Sequence, residues 1–483
     1  MASLDGLILV FGRKAIVKIN DPVRKEVNVF KLLLVLAWML PMVAHAKQPV
    51  ELKAEVLGFA ALPADTFQMP PKDAPAYFQT SGRYANPPYE KLKAGAKDNA
   101  ISFLSTGINP RPTGWKLPLS GQPIQGFSGV VAIDKNNFWV IVDNGFGFKN
   151  NSHDALLKIH QVRIDWVRSE LTVTQTIFIH DRNHVVPFPI ALETDPSRYL
   201  TGADFDPESL QVTATGFYLG DEFGPYLLHV AKDGALLAVH DLKINNQHYF
   251  SVDHPSKPTP SKPDGAPTAA IARSRGFEGM AASPDQKYLY PLLEGPIYNV
   301  HKEKWEGHQG KNSLTIFQFD TAQQQFTTRR WRYVLENKKH NIGDFNFMND
   351  RYAWVIERDN REGDPFKRCA KRPRSNCFDA PADFKRLYLV DLNPSNKTQN
   401  EARKLAYVDL MNIADKSNKS GHAHRGVFNM PFFTIESVDA IAKDQVVVGN
   451  DNNLPFSSGR TPMKNDDNEF VWLKIKGLHT VLK

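Results

Sequence analysis

Gly126-Phe-Ser-Gly-Val-Val-Ala132, followed by Phe138-Trp-Val-Ile-Val142 and closed by Asp143-Asn-Gly145, is the stretch from which the fold can be read. Its two apolar runs are rich in β-branched and aromatic residues and bounded by Gly, Asn and Asp, the composition of two strands joined by a turn. A polar residue, Ser128, opens the first strand and an acid, Asp143, closes the second. In an antiparallel hairpin those two ends share one edge of the sheet. The pattern returns four times. Pro207-Glu-Ser-Leu210 leads to Asp221-Glu-Phe-Gly224, and Gly276-Phe-Glu-Gly-Met-Ala281 leads through Ser283-Pro-Asp285 to Glu294-Gly-Pro296. Ile342-Gly-Asp-Phe345 leads to Glu357-Arg-Asp-Asn360, and Thr434-Ile-Glu-Ser-Val438 to Gly449-Asn-Asp-Asn-Asn453. In each unit 13 to 16 residues separate the opening polar group from the closing acid.

Helical periodicity is scarce around these units, which predicts an all-β fold. Small antiparallel sheets repeated about an axis make a β-propeller, whose central channel collects the same edge of every blade. The expectation is a single propeller domain over residues 47–483, of about six blades with five visible. The units begin 66 to 92 residues apart, more than the ~40–50 of a compact blade, so long loops or further blades must lie between them. A β-sandwich is the competing fold. Residues 68–98, 252–268 and 361–383 read as inserted loops, and Leu52 to Phe59 as a strand able to pair with the C-terminal strand and close the ring.

The N-terminal region has a different character. Leu32 to Val43 is an apolar run of twelve residues, preceded by Arg24, Lys25 and Lys31 and closed by Ala44-His45-Ala46. That is the layout of a secretory signal peptide over residues 29–46, cleaved near Ala46/Lys47. Twelve residues rise only about 18 Å as a helix, too short to span ~30 Å of hydrocarbon, so no membrane span is expected after cleavage. Residues 1–28 read as an extension ahead of the true start, with initiation near Val27 or Val29. The expected location is periplasmic or secreted. Without residues 1–46 the chain carries 53 basic and 49 acidic residues, a balance that does not argue for a nucleic-acid partner. An oxidising compartment favours a disulfide between Cys369 and Cys377, eight residues apart. The oligomeric state is not legible.

Under the propeller reading, Glu208, Glu278 and Glu436, with Asp344 and Ser128, line one face of the channel. Asp143, Asp221, Glu222, Glu294, Glu357 and Asp451 lie at the ends of the second strands. Carboxylates converging in one funnel repel one another, and a hard divalent cation relieves that repulsion. Ca²⁺ is the expected cofactor, with Asp221, Glu222, Glu294, Glu357 and Asp451 as candidate ligands and Asn144, Asn450, Asn452 and Asn453 as neutral oxygens. Taken singly, each acid reads first as a cap on a hairpin turn; the set is what points to a functional ring. Arg275, Arg358, Arg425 and Arg460 stand beside the acids and suit an anionic substrate, since a guanidinium grips phosphate with two hydrogen bonds. Arg273 and the His422/His424 pair add further charged or titrating groups. No Gly-x-Ser-x-Gly elbow, His-Glu-x-x-His or phosphate loop is present, so hydrolysis would use metal-activated water, with Glu208, Glu278 and Glu436 as the catalytic candidates.

Five segments carry a resemblance to a known family. They are Gly126-Phe-Ser-Gly129; Asp206-Pro-Glu-Ser209 with Gly220-Asp-Glu-Phe-Gly-Pro225; Arg275-Gly-Phe-Glu-Gly279 with Ser283-Pro-Asp285; Glu357-Arg-Asp359; and Glu436-Ser437 with Asn450-Asp-Asn-Asn-Leu-Pro-Phe456 and Asn468-Glu469. In this order they resemble the phytase-like family of exported bacterial proteins described by an esterase-like activity of phytase. The resemblance implies a propeller and a phosphoester or ester hydrolase; it assigns no catalytic residue. Gln286 departs from the Ser-Pro-Asp-Gly the third segment more usually shows. Three readings follow: a metal-assisted hydrolase of phosphate esters or related esters, a non-catalytic propeller that binds a ligand or envelope protein, and a sugar- or lactone-ester hydrolase.

Overall fold

The computed structural model describes residues 48–84, 101–105, 110–255, 270–299, 301–371 and 375–482. The expected signal peptide, the extension before it, and residues 85–98 and 256–268 of two expected loops lie outside these residues. Residues from Gln48 onward form one compact unit.

Twenty strands account for the framework. β1 is Val50–Leu62. β2 (Phe127–Ala132), β3 (Asn137–Val142), β4 (Lys158–Asp165) and β5 (Glu170–Phe178) form one antiparallel meander. β6 (Pro207–Thr213), β7 (Gly216–Asp221), β8 (Tyr226–Val230) and β9 (Leu236–Asp241) form the second. β10 (Phe277–Ala282), β11 (Tyr288–Leu293), β12 (Lys311–Asp320) and β13 (Gln325–Val334) form the third. β14 (Asn341–Phe347), β15 (Tyr352–Arg358), β16 (Lys385–Asp391) and β17 (Arg403–Asp409) form the fourth. β18 (Ser437–Ala442), β19 (Gln445–Gly449) and β20 (Asn468–Lys476) come from the C-terminus. Their fourth strand is β1, which runs antiparallel to β20 from Lys53 opposite Lys476 to Leu62 opposite Asn468. The two ends of the chain thus complete a single sheet. Five such four-stranded groups can be traced among the described residues, and long connections, such as 179–206 and 410–436, separate their motifs.

Strand alternation explains how the sheets stack. Along β7, Phe217 and Leu219 pack with Ile141 and Ile159 of the first sheet, while Tyr218 between them packs with Phe277 and Phe317 of the third. Successive side chains leave a strand on opposite faces, so one middle strand feeds two cores. Further cores lie between the third and fourth sheets (Tyr290, Ile316, Val355, Tyr388), the fourth and fifth (Trp354, Leu387, Val446, Leu473), and the fifth and first (Val447, Phe470, Phe138, Val140). Outer strand β13 alternates exposed Arg330 with buried Trp331, whereas middle strand β15 is buried throughout.

The first strands β2, β6, β10, β14 and β18 each contact the next, and β18 returns to β2. Their approach is close enough to dictate sequence. A Cβ on Gly279 would meet the Phe345 backbone nitrogen at 2.8 Å, and one on Gly343 would meet the Ile435 carbonyl oxygen at 1.9 Å. These are the glycines of Phe-Glu-Gly and Ile-Gly-Asp; no other residue fits there. Gln211 Nε2 donates to the Met280 carbonyl and to Asn346 Oδ1, both at 2.6 Å, and Asn346 Nδ2 donates to the carbonyls of Val438 (2.8 Å) and Val130 (3.3 Å). Two amides therefore tie all five sheets at the centre.

Cys369 and Cys377 are disulfide-bonded. Gln286 holds a left-handed φ of 58°, the conformation glycine would supply at that turn at lower cost. Among the described residues no helix is long and apolar enough to cross a membrane.

Candidate functional site

The pairing register of the first strands explains why acids gather at one end. In β2, β6, β10 and β14 the ladder slips within the first few residues, between Phe127 and Gly129, Pro207 and Ser209, Phe277 and Gly279, and Ile342 and Phe345. The residues left out of register are Ser128, Glu208, Glu278 and the pair Gly343-Asp344. A β-bulge turns its extra side chain away from the regular alternation. At Glu208 and Glu278 that side chain is a carboxylate facing the other sheets.

Two triads of carboxylate oxygens result. Asp206, Glu208 and Glu222 form one and Glu222, Glu278 and Glu294 the other; within each, the oxygens lie within 4.8 Å of one another. Glu222 belongs to both. Asp206, Glu222, Glu278 and Glu294 are each no more than 6% exposed, whereas Glu208 is half-buried. Glu222 Oε1 and Glu278 Oε1 are buried without a hydrogen-bond partner.

Arg358, at the end of β15, reaches into the cluster. Its Nη2 lies 3.0 Å from Glu436 Oε1, 3.7 Å from Glu294 Oε1 and 3.9 Å from Glu278 Oε1. Arg275 pairs with Glu294 and is one-third exposed, so of the two guanidiniums it is the more open to an incoming molecule. Asp143, Glu436 and Asp451 extend the acid set toward the fifth and first sheets, each within electrostatic reach of another.

The charge is far out of balance: eight carboxylates (143, 206, 208, 222, 278, 294, 436, 451) face two guanidiniums and, beside Asp143, the Lys158 amine. Burial, followed by neighbouring carboxylates, lifts Glu208, Glu222 and Glu278 well above the usual range. The same order of causes raises Asp143, Glu436 and Asp451 to about 8, and burial raises Asp206 to about 7. An acid whose folded pKa is raised binds more protons folded than unfolded, so stability falls as pH rises through that interval. In chelator, thermal stability is accordingly expected to drop as pH is raised from about 4, the unfolded carboxylate value, toward 8. Added Ca²⁺ is expected to restore it most at the alkaline end. A pH series of melting curves with and without EDTA checks this; a flat metal-free profile counts against the assembled cluster.

Of the residues singled out from sequence, Glu208, Glu222, Glu278, Glu294, Glu436, Asp451, Arg275 and Arg358 gather here. Four do not. Asp221 accepts hydrogen bonds from the backbone N–H groups of Asp206 (2.7 Å) and Gly224 (2.8 Å), a turn-holding role. Glu357 points the opposite way from Arg358: it takes Lys404 Nζ at 2.6 Å, the Tyr333 hydroxyl at 2.9 Å and His340 Nδ1 at 2.9 Å. Arg460 forms a buried two-pronged pair with Glu469, Nε to Oε1 at 2.9 Å and Nη2 to Oε2 at 2.6 Å. Arg425 lies on an exposed turn, and among the described residues no ion pair joins it to the acids. Asp344, likewise, accepts from the Val438 and Phe345 backbone nitrogens. Asp206 was not singled out for the site, although two residues before Glu208 is a spacing that returns an extended chain to the same side. Buried Lys158, whose pKa burial lowers to about 8 beside Asp143, has no sequence signal at all.

An all-β protein of five four-stranded sheets, with a buried carboxylate cluster gathered where their first strands begin, is the class that fold and site define. A family model described as phytase-like, esterase-like activity of phytase, matches residues 122–454, and the chain belongs to that family. No curated protein matches it. Among solved structures it is similar to a luciferin-regenerating enzyme (12% identity, 88% of this chain and 96% of that one, TM-score 0.32). It is also similar to a putative 6-phosphogluconolactonase from Bacteroides fragilis (12%, 79% and 99%, 0.29) and to the PQQ-bound aldose sugar dehydrogenase from Streptomyces coelicolor (12%, 89% and 100%, 0.31). At such TM-scores these likenesses carry no argument about activity.

Proposed function

We propose that this protein is an exported, five-bladed propeller hydrolase that binds a divalent cation in its acidic cluster and cleaves an anionic ester, a phosphate monoester before others. The observation that carries the reading is the pair of buried oxygens that accept no hydrogen bond, Glu222 Oε1 and Glu278 Oε1, inside triads made only of carboxylates. Hard oxygen donors, an excess of negative charge and orphaned acceptors fit Ca²⁺ or a similar ion. Glu222, Glu278 and Glu294 would hold it, with Asp206 and Glu208 alongside. When bound, such an ion supplies charge neutralisation and polarises a phosphoryl oxygen or a water.

The remaining chemistry belongs to the chain. Arg275, partly exposed, meets the anionic group; Arg358, buried among Glu278, Glu294 and Glu436, holds those three carboxylates in place. Glu208 is half-buried, and burial followed by its carboxylate neighbours raises its pKa, which suits it to protonate a leaving oxygen. Export rests on the signal-peptide reading of residues 29–46, and the Cys369–Cys377 disulfide agrees with it.

The test is turnover by purified protein of phytate, a simple phosphate monoester and a carboxylic ester, after EDTA treatment and again after Ca²⁺ is restored. Ca²⁺-dependent release of phosphate is expected. If Ca²⁺ stabilises the protein and no substrate turns over, the hydrolase reading fails and a binding propeller replaces it.

A further inference from the structure

An open cleft of about 680 Å³ lies on the outer side of the third sheet, away from the residues of the acidic cluster. Its floor is β13, which presents Arg330 and Arg332 two residues apart and therefore on one face. Its wall is a small hairpin in which Tyr298–Asn299 pairs with Lys304–Trp305. Trp305 is held edge-on against Tyr298, ring centres 5.1 Å apart, and is still 40% exposed. Lys302 and Lys304 stand on the same hairpin, both exposed.

The charge in this cleft is unbalanced in the opposite sense to the central cluster. Among the described residues no ion pair joins Lys302, Lys304 or Arg330 to a carboxylate; Arg330 and Arg332 share the longer-range attraction of Glu306. Arg332 pairs with Glu401 at 3.2 Å, yet its Nε is buried and unpartnered. Glu306 is the single carboxylate among the lining residues; it accepts from Thr315 Oγ1 at 2.8 Å, and burial pushes it toward its protonated form. Cations on an outer strand also serve to block edge-to-edge pairing. That purpose needs neither a concave wall nor an indole kept partly in solvent.

We infer that this cleft is a second binding site, for an acidic saccharide: Trp305 offers its face to a sugar ring, and Arg330, Arg332, Lys302 and Lys304 take the carboxylate or phosphate groups. The volume lies within the usual range for a small-molecule site. Asn299, Asn400 and Ser313 line it as well and supply amide and hydroxyl partners for sugar hydroxyls. A guanidinium pair at this spacing grips planar or tetrahedral anions with directed hydrogen bonds. The site is independent of the hydrolase reading, and on an exported protein it would dock the molecule on an acidic glycan.

Calorimetric titration of the full protein with trigalacturonate, with neutral maltotriose and with a short single-stranded oligonucleotide tests the assignment. Trigalacturonate is expected to bind, and to weaken by about tenfold or more in Arg330→Glu and in Trp305→Ala. Both positions are exposed, so the response of the melting temperature to Ca²⁺ should stay as in the wild type and vouch for the fold. The inference is overturned if trigalacturonate does not bind, if both variants bind it as well as wild type, or if maltotriose binds equally. Preferred binding of the oligonucleotide, lost in the same variants, overturns it in favour of a nucleic-acid site.

Discussion

Replacing Glu222 by Gln is expected to abolish the response to Ca²⁺ and to lower turnover by roughly 100-fold or more, the scale on which the loss of one preorganised group at a reacting centre is felt. Glu222 is the carboxylate the two triads share, so its loss leaves each with two acids. For the wild type, Ca²⁺ at a hundred times its dissociation constant should add about 2.7 kcal/mol of stability; the variant should show almost none. In chelator the variant should melt no lower than wild type. Burial and the neighbouring Glu294 raise the Glu222 pKa and disfavour its charged form without a cation, and Gln supplies a neutral side chain of similar shape. This contrast separates a ligand from a structural acid. A variant that unfolds early in EDTA yet still responds to Ca²⁺ would show that Glu222 supports the fold and that the cation binds elsewhere.

Much of this geometry was written in the hairpin repeat. Five openings at Ser128, Glu208, Glu278, Asp344 and Glu436 mark the five first strands, and the glycines of the same motifs mark where backbones approach closely. A two-residue period combined with acids at both strand ends is enough to place the edge where charge collects. Leu52 to Phe59 reads as a strand able to close the ring, and the pairing itself is visible only in the structure, where it lies antiparallel to the C-terminal strand. The count of five sheets was harder to read. Connections between the framework strands vary from two residues to 64, the latter being 63–126, and loop length costs little free energy, so spacing does not reveal how many units it spans.

What the motifs left open is which way each end residue turns. Glu357 and Arg358 are adjacent and both buried, yet one joins Tyr333, His340 and Lys404 between strands while the other enters the central cluster. Moving by one residue along a strand exchanges faces, and the bulges shift that phase without altering composition. Asp221 and Asp344 show the second ambiguity. A short carboxylate at a strand end satisfies nearby backbone N–H groups, whereas the longer Glu222 and Glu278 clear the turn and meet across sheets.

Arg460 sets the same question of role in its sharpest form, because an arginine after an Asn/Asp cluster reads as a grip for an anionic substrate. In the folded protein both of its hydrogen-bonding edges are committed: two bonds go to Glu469, Nη1 donates to Asn429 Oδ1 at 3.1 Å, and the guanidinium packs over Phe428 and Phe432 at 5.0 and 4.9 Å. Arg460→Met is therefore expected to cost about 3–5 kcal/mol, chiefly because Glu469 is left charged in a buried site. The additional change Glu469→Leu should recover much of that loss, since an apolar pair of similar volume avoids the desolvation that the ion pair must offset. Denaturant midpoints of the two variants measure both effects. In the folded fraction the Michaelis constant for an anionic ester and the Ca²⁺ response should be unchanged. A stability loss below about 1 kcal/mol, together with a raised Michaelis constant, would return Arg460 to the substrate and leave Glu469 with a different partner in the working enzyme.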